Sequence, residues 1–160
     1  MRMNPESAAT LFRLIRGQRI AALGTLRQGA PLVSMVLYLP GEDFSMLYLH
    51  VSRLAWHTQD MLMDARVSLS IAAGDDGVGD PQQLARVSLR GTASALARES
   101  NAHGKLKTAW LARFPESAIN FELADFGFFR VQISDARLVA GFGRIHNLSA
   151  KNLVDGSNQA

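Results

Sequence analysis

The chain has 160 residues, a formal net charge of +3, and a composition of 48% hydrophobic and 19% charged residues. These values predict one folded domain with a hydrophobic core and exclude a disordered chain. No uninterrupted apolar run approaches the roughly 18 residues of a membrane span, so we expect no membrane segment. The N-terminal segment lacks an apolar core followed by a small-residue cleavage site, so we expect a helix there rather than a signal peptide.

Cysteine is absent, and the basic residues are dispersed along the chain. The absence of cysteine excludes disulfides, thiolate metal sites and cysteine nucleophiles, and it favours a cytoplasmic protein. The 14 arginines and 3 lysines form no basic run of the kind that binds nucleic acid, so we expect no nucleic-acid partner. A modest positive charge favours small phosphorylated or carboxylated ligands instead.

The first predicted elements are a capped helix and three strands. Asn4-Pro5-Glu6 is typical of a helix start, and hydrophobic residues at helical spacing predict a helix over residues 4–16. From Gln18 the pattern changes to three apolar runs, RIAALGTL, PLVSMVLYL and MLYLHV, separated by the hairpin turns RQGA and PGED. Their near-continuous apolarity predicts burial on both faces, as in a barrel or a dimer interface.

The next elements complete a sheet and add two helices. A short helix is predicted from Ser52 to about Met63, and a longer one from Glu99 to Phe114. ARVSLSIAA and LARVSLRGTASAL are predicted strands, the second with a bulge or a bend at Gly91. FGFFRVQI and ARLVAGFG are predicted to form a final strand pair joined by SD.

Six or seven strands joined mostly by hairpins predict a mainly β fold, an antiparallel barrel with peripheral helices. We expect one domain over residues 1–160, with the barrel at about 18–144 and a polar tail at 146–160 whose composition is typical of disorder. Neither a G-x-G-x-x-G nor a P-loop motif is present, which argues against a doubly wound nucleotide-binding sheet.

The segment SRLAWHT, residues 52–58, is the strongest candidate for a binding site. Ser52 is predicted to begin the short helix, where unpaired backbone N–H groups and partial positive charge favour an anion. Arg53, His57 and Thr58 follow within about one and a half turns, so a phosphate site is predicted. The alternative is an ordinary surface helix capped by Ser52, with Trp56 packed inward.

Further candidate residues lie on the strands. Ser34 either bonds to a backbone group in the core or lies where a flat heterocycle would use the strand backbone. Arg86 and Arg90 share one face with Ser88 and are either solvated or directed at an anionic ligand. Residues 141–146, GFGRIH, form either a bulge or an aromatic and a cation at a pocket rim. His, Asp and Glu show no metal-ligand spacing, so we expect no metal site.

The order of these motifs resembles the FMN-binding split barrel of the pyridoxamine 5′-phosphate oxidase superfamily. The resembling parts are S-x-L-A-x-H-T, the strand D-P…R-V-S-L-x-G-x-A and the terminal G-F-G-R, which together span about residues 18–144. Within the superfamily, the sequence is most similar to the N-terminal domain of HugZ-type haem-utilisation proteins.

The resemblance implies a homodimer with two FMN sites at the subunit interface and a small-molecule substrate. It implies that the isoalloxazine lies beside Ser34, Met35 and Val36. The residues implied to surround the ribityl and phosphate groups are His50, Val51, Ser52, Arg53, His57 and Thr58. Those implied to border the flavin from elsewhere are Arg86, contributed by the partner subunit, and Phe142 and Arg144.

The sequence departs from the oxidases of this superfamily. Ser34 and Arg53-Leu54 stand where the oxidases have an arginine and an Arg-Lys pair, so vitamin B6 oxidation is not expected. Arg144 and His146 are similar to the substrate pair of the oxidases.

Three functions follow as hypotheses. The first is an FMN-dependent oxidoreductase acting on an unknown small substrate. The second is a haem-binding or haem-degrading protein on the same barrel, with a histidine as the iron ligand. The third is a non-catalytic interaction module whose pocket is filled by one of the bulky side chains Met35, Met46, Trp56 or Phe142.

Overall fold

The computed structural model describes residues 3–158 as one sheet with helices around it. The helices are α1 (Pro5–Gly17), α2 (Trp56–Met63), α3 (Asn101–Arg113) and α4 (Ala150–Ser157), with short 3₁₀ segments at Pro81–Gln83 and Pro115–Glu122. The strands are β1 (Ile20–Arg27), β2 (Ala30–Leu37), β3 (Leu39–Pro40), β4 (Met46–Ser52), β5 (Arg66–Ala72), β6 (Arg86–Ala95), β7 (Phe126–Val139) and β8 (Ile145–Ser149).

All strand pairs are antiparallel, and the order across the sheet is β2-β1-β5-β6-β7-β4-β3, with β8 also paired to β7. This sheet confirms the predicted mainly β architecture with peripheral helices. Residues 3–158 form eight strands rather than six or seven, because the two-residue β3 and the C-terminal β8 are strands of their own. None of the helices in this range combines the length and the apolarity needed to cross a membrane.

The N-terminal helix forms as its sequence predicts. The Asn4 side chain accepts a hydrogen bond of 2.8 Å from the backbone N–H of Ser7, and Pro5 occupies the first helical position. Leu11 and Ile15 are fully buried on the face that packs against the sheet. The Asn4 cap and Pro5 therefore fix where α1 begins, and the apolar stripe fixes which face of the helix packs against the sheet.

The first hairpin also forms as predicted, but β2 is not buried on both faces. Gln28 and Gly29 have φ of 52° and 81°, the left-handed pair that a two-residue turn between twisted strands requires. β2 lies at one edge of the sheet and pairs only with β1. Val33 and Met35 project from its uncovered face and are 69% and 67% exposed. The prediction of burial on both faces is wrong for the single chain.

Two hydrophobic clusters hold the molecule together. The larger one lies between the inward face of the sheet and the helices α1, α2 and α4. The smaller one is aromatic and is centred on Trp110, Phe114 and Phe128, where α3 and the segment Pro115–Glu122 cover the outer part of β7. The predicted helix over residues 99–114 is thus confirmed within two residues at each end, and its role is to close this second cluster.

The SD dipeptide does not join two strands; it lies inside one 14-residue strand, β7. The pairing of β6 with β7 skips Ser134, so this residue is the extra one of a β-bulge opposite Arg90 and Gly91. Its hydroxyl donates to the Arg90 carbonyl oxygen, and Asp135 accepts two hydrogen bonds from the Arg90 guanidinium. The bulge predicted at Gly91 is confirmed. It accommodates Ser134 and Asp135, the SD dipeptide that was predicted to join two strands.

The C-terminal segment is folded, which corrects the predicted disordered tail. Residues 145–149 form β8 beside β7, and α4 follows with a capping box made by Ser149 and Asn152. Leu153 is fully buried, and Gly156 approaches Leu11 of α1 so closely that an added Cβ would lie 2.8 Å from a leucine methyl. The tail is polar on one face only, and the other face completes the main cluster. Residues 159 and 160 of the predicted tail lie outside the described range.

Candidate functional site

The junction between β4 and α2 does not have the predicted cap. Ser52 is the last residue of β4, and α2 begins at Trp56 with Ala55 as its N-cap and no side-chain cap. The Ser52 hydroxyl donates to the carboxylate of Asp125 and accepts a 3.1 Å hydrogen bond from the Leu54 backbone N–H. The hydroxyl therefore holds the turn before the helix, and the acid beside it disfavours a phosphate at that atom.

Arg53 is the residue of this junction that is best placed to meet an anion. Its side chain is exposed, and it makes no hydrogen bond or ion pair with any residue in the range 3–158. Its backbone N–H is fixed by a 2.7 Å hydrogen bond to the Asp125 carbonyl oxygen. The backbone is thus held while the guanidinium remains available.

Thr58 and His57 face different surroundings on α2. Thr58 is fully buried, and its hydroxyl has no hydrogen-bond partner among the described residues. His57 is half-buried; burial lowers its pKa, and the Asp60 carboxylate opposes that shift. A surface phosphate could reach His57 but not the hydroxyl of Thr58, so the predicted set is only partly available at the surface.

His50 lies in the aromatic cluster and not at a ligand surface. Its ring stacks on Phe121 at 4.0 Å between centroids and contacts Phe128 at 4.7 Å. Burial, with smaller contributions from the positive charges of His103 and Arg98, lowers its pKa to about 4. Nδ1 of His50 has no partner among the described residues. Its neighbour Val51 points to the opposite side and belongs to the main cluster.

A buried acid on α2 is the polar feature that the sequence did not indicate. The Asp60 carboxylate is 4% exposed and accepts hydrogen bonds of 2.8 Å from the Thr25 hydroxyl and from the Arg27 guanidinium. The same guanidinium lies 4.1 Å over the ring of Trp56, which is exposed and not packed inward. This cluster ties α2 to β1. Asp60 sits inside the motif SRLAWHTQDM, but only tertiary contact distinguishes it from a solvated acid.

The residues predicted to lie beside a flavin are on the free edge of the sheet. Met35 is exposed, Ser34 is half-buried and Val36 is buried, as expected for alternating strand positions. Because β2 pairs only with β1, the backbone groups on its other side have no strand partner in residues 3–158. A flat heterocycle could therefore hydrogen-bond along this strand.

Arg86 and Phe142 lie at the end of the sheet opposite to Arg53. Arg86 donates to the carbonyl oxygens of Gln82 and Leu84, and Phe142 is 88% exposed in the turn before β8. Along β7, Phe126 pairs with Ser52 whereas Val139 pairs with Arg86, a separation of roughly 40 Å at strand spacing. One chain therefore does not bring Arg86 and Phe142 to Arg53.

The Arg-x-His pair near the C-terminus is engaged within the fold. The Arg144 guanidinium forms an ion pair with Glu6 and donates to the Ala140 carbonyl oxygen. Nε2 of His146 lies 2.9 Å from the hydroxyl of Ser7, which is fully buried in α1. In the single chain the pair anchors α1 to β8.

On the outward face of the sheet, the exposed side chains change from apolar on β2 to charged on β6 and β7. One row runs from Val33 through Gly24, Ser68 and Arg90 to Asp135, and the next row runs from Met35 across small residues to Arg137. The charged side borders a cavity of about 590 Å³ lined by residues that include Ser88, Arg90, Arg137 and Asn147. Residues 3–158 contain no group of three acidic or histidine side chains that could hold a metal ion.

The fold defines the class of protein: this is a split barrel with peripheral helices. Within that class the chain belongs to the family described as CREG, beta-barrel, whose model matches residues 3–154.

Proteins with this fold differ in the ligand named for them. The chain is 32% identical over 133 residues to the chloroplastic heme oxygenase HOZ of Arabidopsis thaliana, covering 80% of this chain and 38% of that protein. The heme binding protein from Mycobacterium smegmatis superposes with a TM-score of 0.83 at 24% identity, covering 96% of this chain and 62% of that one. An FAD-binding protein from Mesorhizobium loti superposes with a TM-score of 0.64 at 17% identity, covering 84% and 92% of the two chains. The chain thus spans less than two thirds of the length of the Arabidopsis and mycobacterial proteins.

Proposed function

We propose that this protein binds haem on the outward face of its sheet, as a homodimer in which two such faces meet. The observation that carries the proposal is the change in character across that face, with exposed apolar Val33 and Met35 on one side and the Arg137 guanidinium, beside the Arg90–Asp135 ion pair, on the other. Val33 and Arg90 lie three strand spacings apart, roughly 14 Å. Haem has a flat apolar ring and two carboxylates on one edge, so the face matches it in both respects.

The names of two relatives support the same ligand. HOZ and the mycobacterial protein are both named for haem, and HOZ is the more similar of the two in sequence. Two histidines are engaged elsewhere in the described chain: His50 is covered by the aromatic cluster and His146 is bonded to Ser7. The proposal therefore assigns the ring and its carboxylates to the exposed part of this face and assigns no iron ligand.

A haem titration followed by absorbance tests the proposal. We expect a saturable Soret shift, weakened at least fivefold in Arg137→Gln because one charge-assisted contact to a carboxylate is lost. Arg13→Gln is the matched control, because Arg13 is exposed on α1 away from this face and, like Arg137, donates one hydrogen bond to a side chain; the affinity should stay within twofold. No Soret shift in the wild-type protein, or equal weakening in both variants, would contradict haem binding on this face.

FMN is the second candidate, favoured by two specific observations. These are the unpaired backbone edge of β2 beside Ser34–Val36 and the free guanidinium of Arg53 near the uncapped N-terminus of α2. With FMN bound, the protein would be an oxidoreductase acting on a small molecule, since the flavin supplies the electron-transfer chemistry.

The spectrum of the purified protein separates the two candidates. Flavin bands that remain after FMN is added and unbound flavin is removed by desalting, and that do not remain after the same treatment with riboflavin, would support FMN; a Soret band would support haem. Binding of neither would leave the interaction-module hypothesis, although Met35, Trp56 and Phe142 are exposed and do not fill a pocket in the single chain.

A further inference from the structure

A second cleft lies where the chain enters α3, away from the outward face. It has a volume of about 410 Å³ and is formed by the end of β6, the start of β7 and the residue after β4. Its apolar wall includes Leu96, Phe126 and Phe128, and the backbone of Gly127 contributes to its floor. This size is typical of small-molecule sites.

Two guanidiniums line this cleft without an acidic partner. The Arg98 side chain is held in place because its Nη2 donates hydrogen bonds to the carbonyl oxygens of Ala124 at 2.7 Å and Phe126 at 2.5 Å. Arg53 lines the same cleft from the end of β4, and its backbone is fixed to Asp125. Neither side chain forms an ion pair with any described residue. Among the residues that line the cleft, Arg53 and Arg98 are positive and Glu99 is negative, while the nearby Asp125 carboxylate is outside the lining and is bonded to Ser52.

Two guanidiniums held at one site favour the binding of an anion. Arg98 cannot swing away from the cleft without breaking its bonds to the loop before β7, so its charge is preorganised. A guanidinium binds phosphate or carboxylate through paired N–H donors, and the aromatic wall favours an apolar group attached to that anion.

We propose that this cleft binds a small organic anion, with its phosphate or carboxylate between Arg53 and Arg98 and its apolar part against Phe126 and Leu96. Arg53 is shared with the FMN candidate, whereas Arg98 and Glu99 lie outside the residues that the flavin resemblance implies.

Calorimetric titration at low salt with phenyl phosphate and with benzoate tests the site and distinguishes the two anions. We expect saturable one-to-one binding of at least one probe. Arg53→Gln should weaken it at least fivefold, and this exposed side chain makes no bond whose loss would unfold the protein. Glu99→Gln should strengthen binding at least twofold, because it removes the opposing negative charge.

Arg13→Gln, on α1 outside the cleft, is the control for net charge and should change the affinity less than twofold. Three outcomes would overturn the site: no saturable binding of either probe, equal losses in Arg53→Gln and Arg13→Gln, or weaker binding in Glu99→Gln. Because Arg53 also belongs to the FMN candidate, the result for Glu99→Gln, a residue outside that candidate, distinguishes the two sites.

Discussion

At the scale of single residues, His50 shows why a motif can place a residue correctly and still give it the wrong surroundings. The sequence locates it at the end of a strand next to Ser52, and the structure agrees. The sequence does not show that α3 and the segment Pro115–Glu122, more than 50 residues later, bring Trp110 and Phe121 over its ring. The same limit applies to Asp60, whose burial depends on β1. Contacts made across the chain decide whether a polar side chain is exposed.

The buried imidazole of His50 makes folding stability depend on pH. The pKa of His50 is lowered from 6.5 to about 4 in the folded protein, chiefly by burial. Between these values the unfolded chain binds the proton and the folded chain does not, so this residue makes stability fall as pH falls from 7 toward 4. His50→Phe removes the effect and the unpartnered Nδ1 while keeping an aromatic ring in the cluster.

We expect His50→Phe to be at least as stable as the wild type at pH 7 and to gain further relative stability at pH 5. Urea unfolding of both proteins at the two pH values measures this difference, and the titration of all other groups cancels in the comparison. An offset between the proteins that is equal at pH 7 and pH 5 would show that His50 titrates normally.

At the scale of elements, local signals predicted the helices and hairpins better than they predicted long strands and the C-terminal segment. The cap of α1, the Gln28-Gly29 turn and the bulge at Gly91 depend on a few adjacent residues, and all three are confirmed. The two failures share one cause. Ser134-Asp135 and the residues after 145 are polar, but their polarity is satisfied by neighbouring strands and by solvent on one face.

The packing of α4 gives a direct test that the C-terminal segment belongs to the fold. Leu153→Ala should lower the free energy of unfolding by about 3 kcal/mol, because Leu153 is fully buried in the main cluster. Val154→Ala, at the exposed neighbouring position of the same helix, should cost less than about 1 kcal/mol. Chemical denaturation measures both, and equal small effects would mean that α4 is detached in solution.

At the scale of the whole molecule, one chain alone does not bring the predicted site residues together. Arg53 and Arg86 lie at opposite ends of the sheet, and the exposed apolar side chains of Val33 and Met35 stand on its outward face. A second copy placed on that face would cover the apolar residues. It could also bring the Arg86 end of one sheet close to the Arg53 end of the other. The split barrel was predictable from motif order; which ligand it holds was not, because relatives with this fold are named for haem and for FAD.

Sedimentation velocity tests the proposed dimer. The wild-type protein should sediment as two protomers, and Met35→Glu should shift it to a monomer by placing a charge in the covered face. Ile119→Glu, a similar change at an exposed apolar residue of the segment Pro115–Glu122, should leave the dimer intact. A wild-type monomer at all concentrations, or a dimer unaffected by Met35→Glu, would place the association elsewhere or exclude it.

The position of β7 has a consequence for synthesis on the ribosome. β7 lies between β6 and β4, and its partner β4 precedes it in the chain by about 80 residues. At typical elongation rates, β4 emerges roughly 4 to 16 s before the strand that covers its edge. During that interval the nascent chain exposes Leu47, Leu49 and Val51, so we expect the growing polypeptide to depend on chaperone protection until β7 is complete.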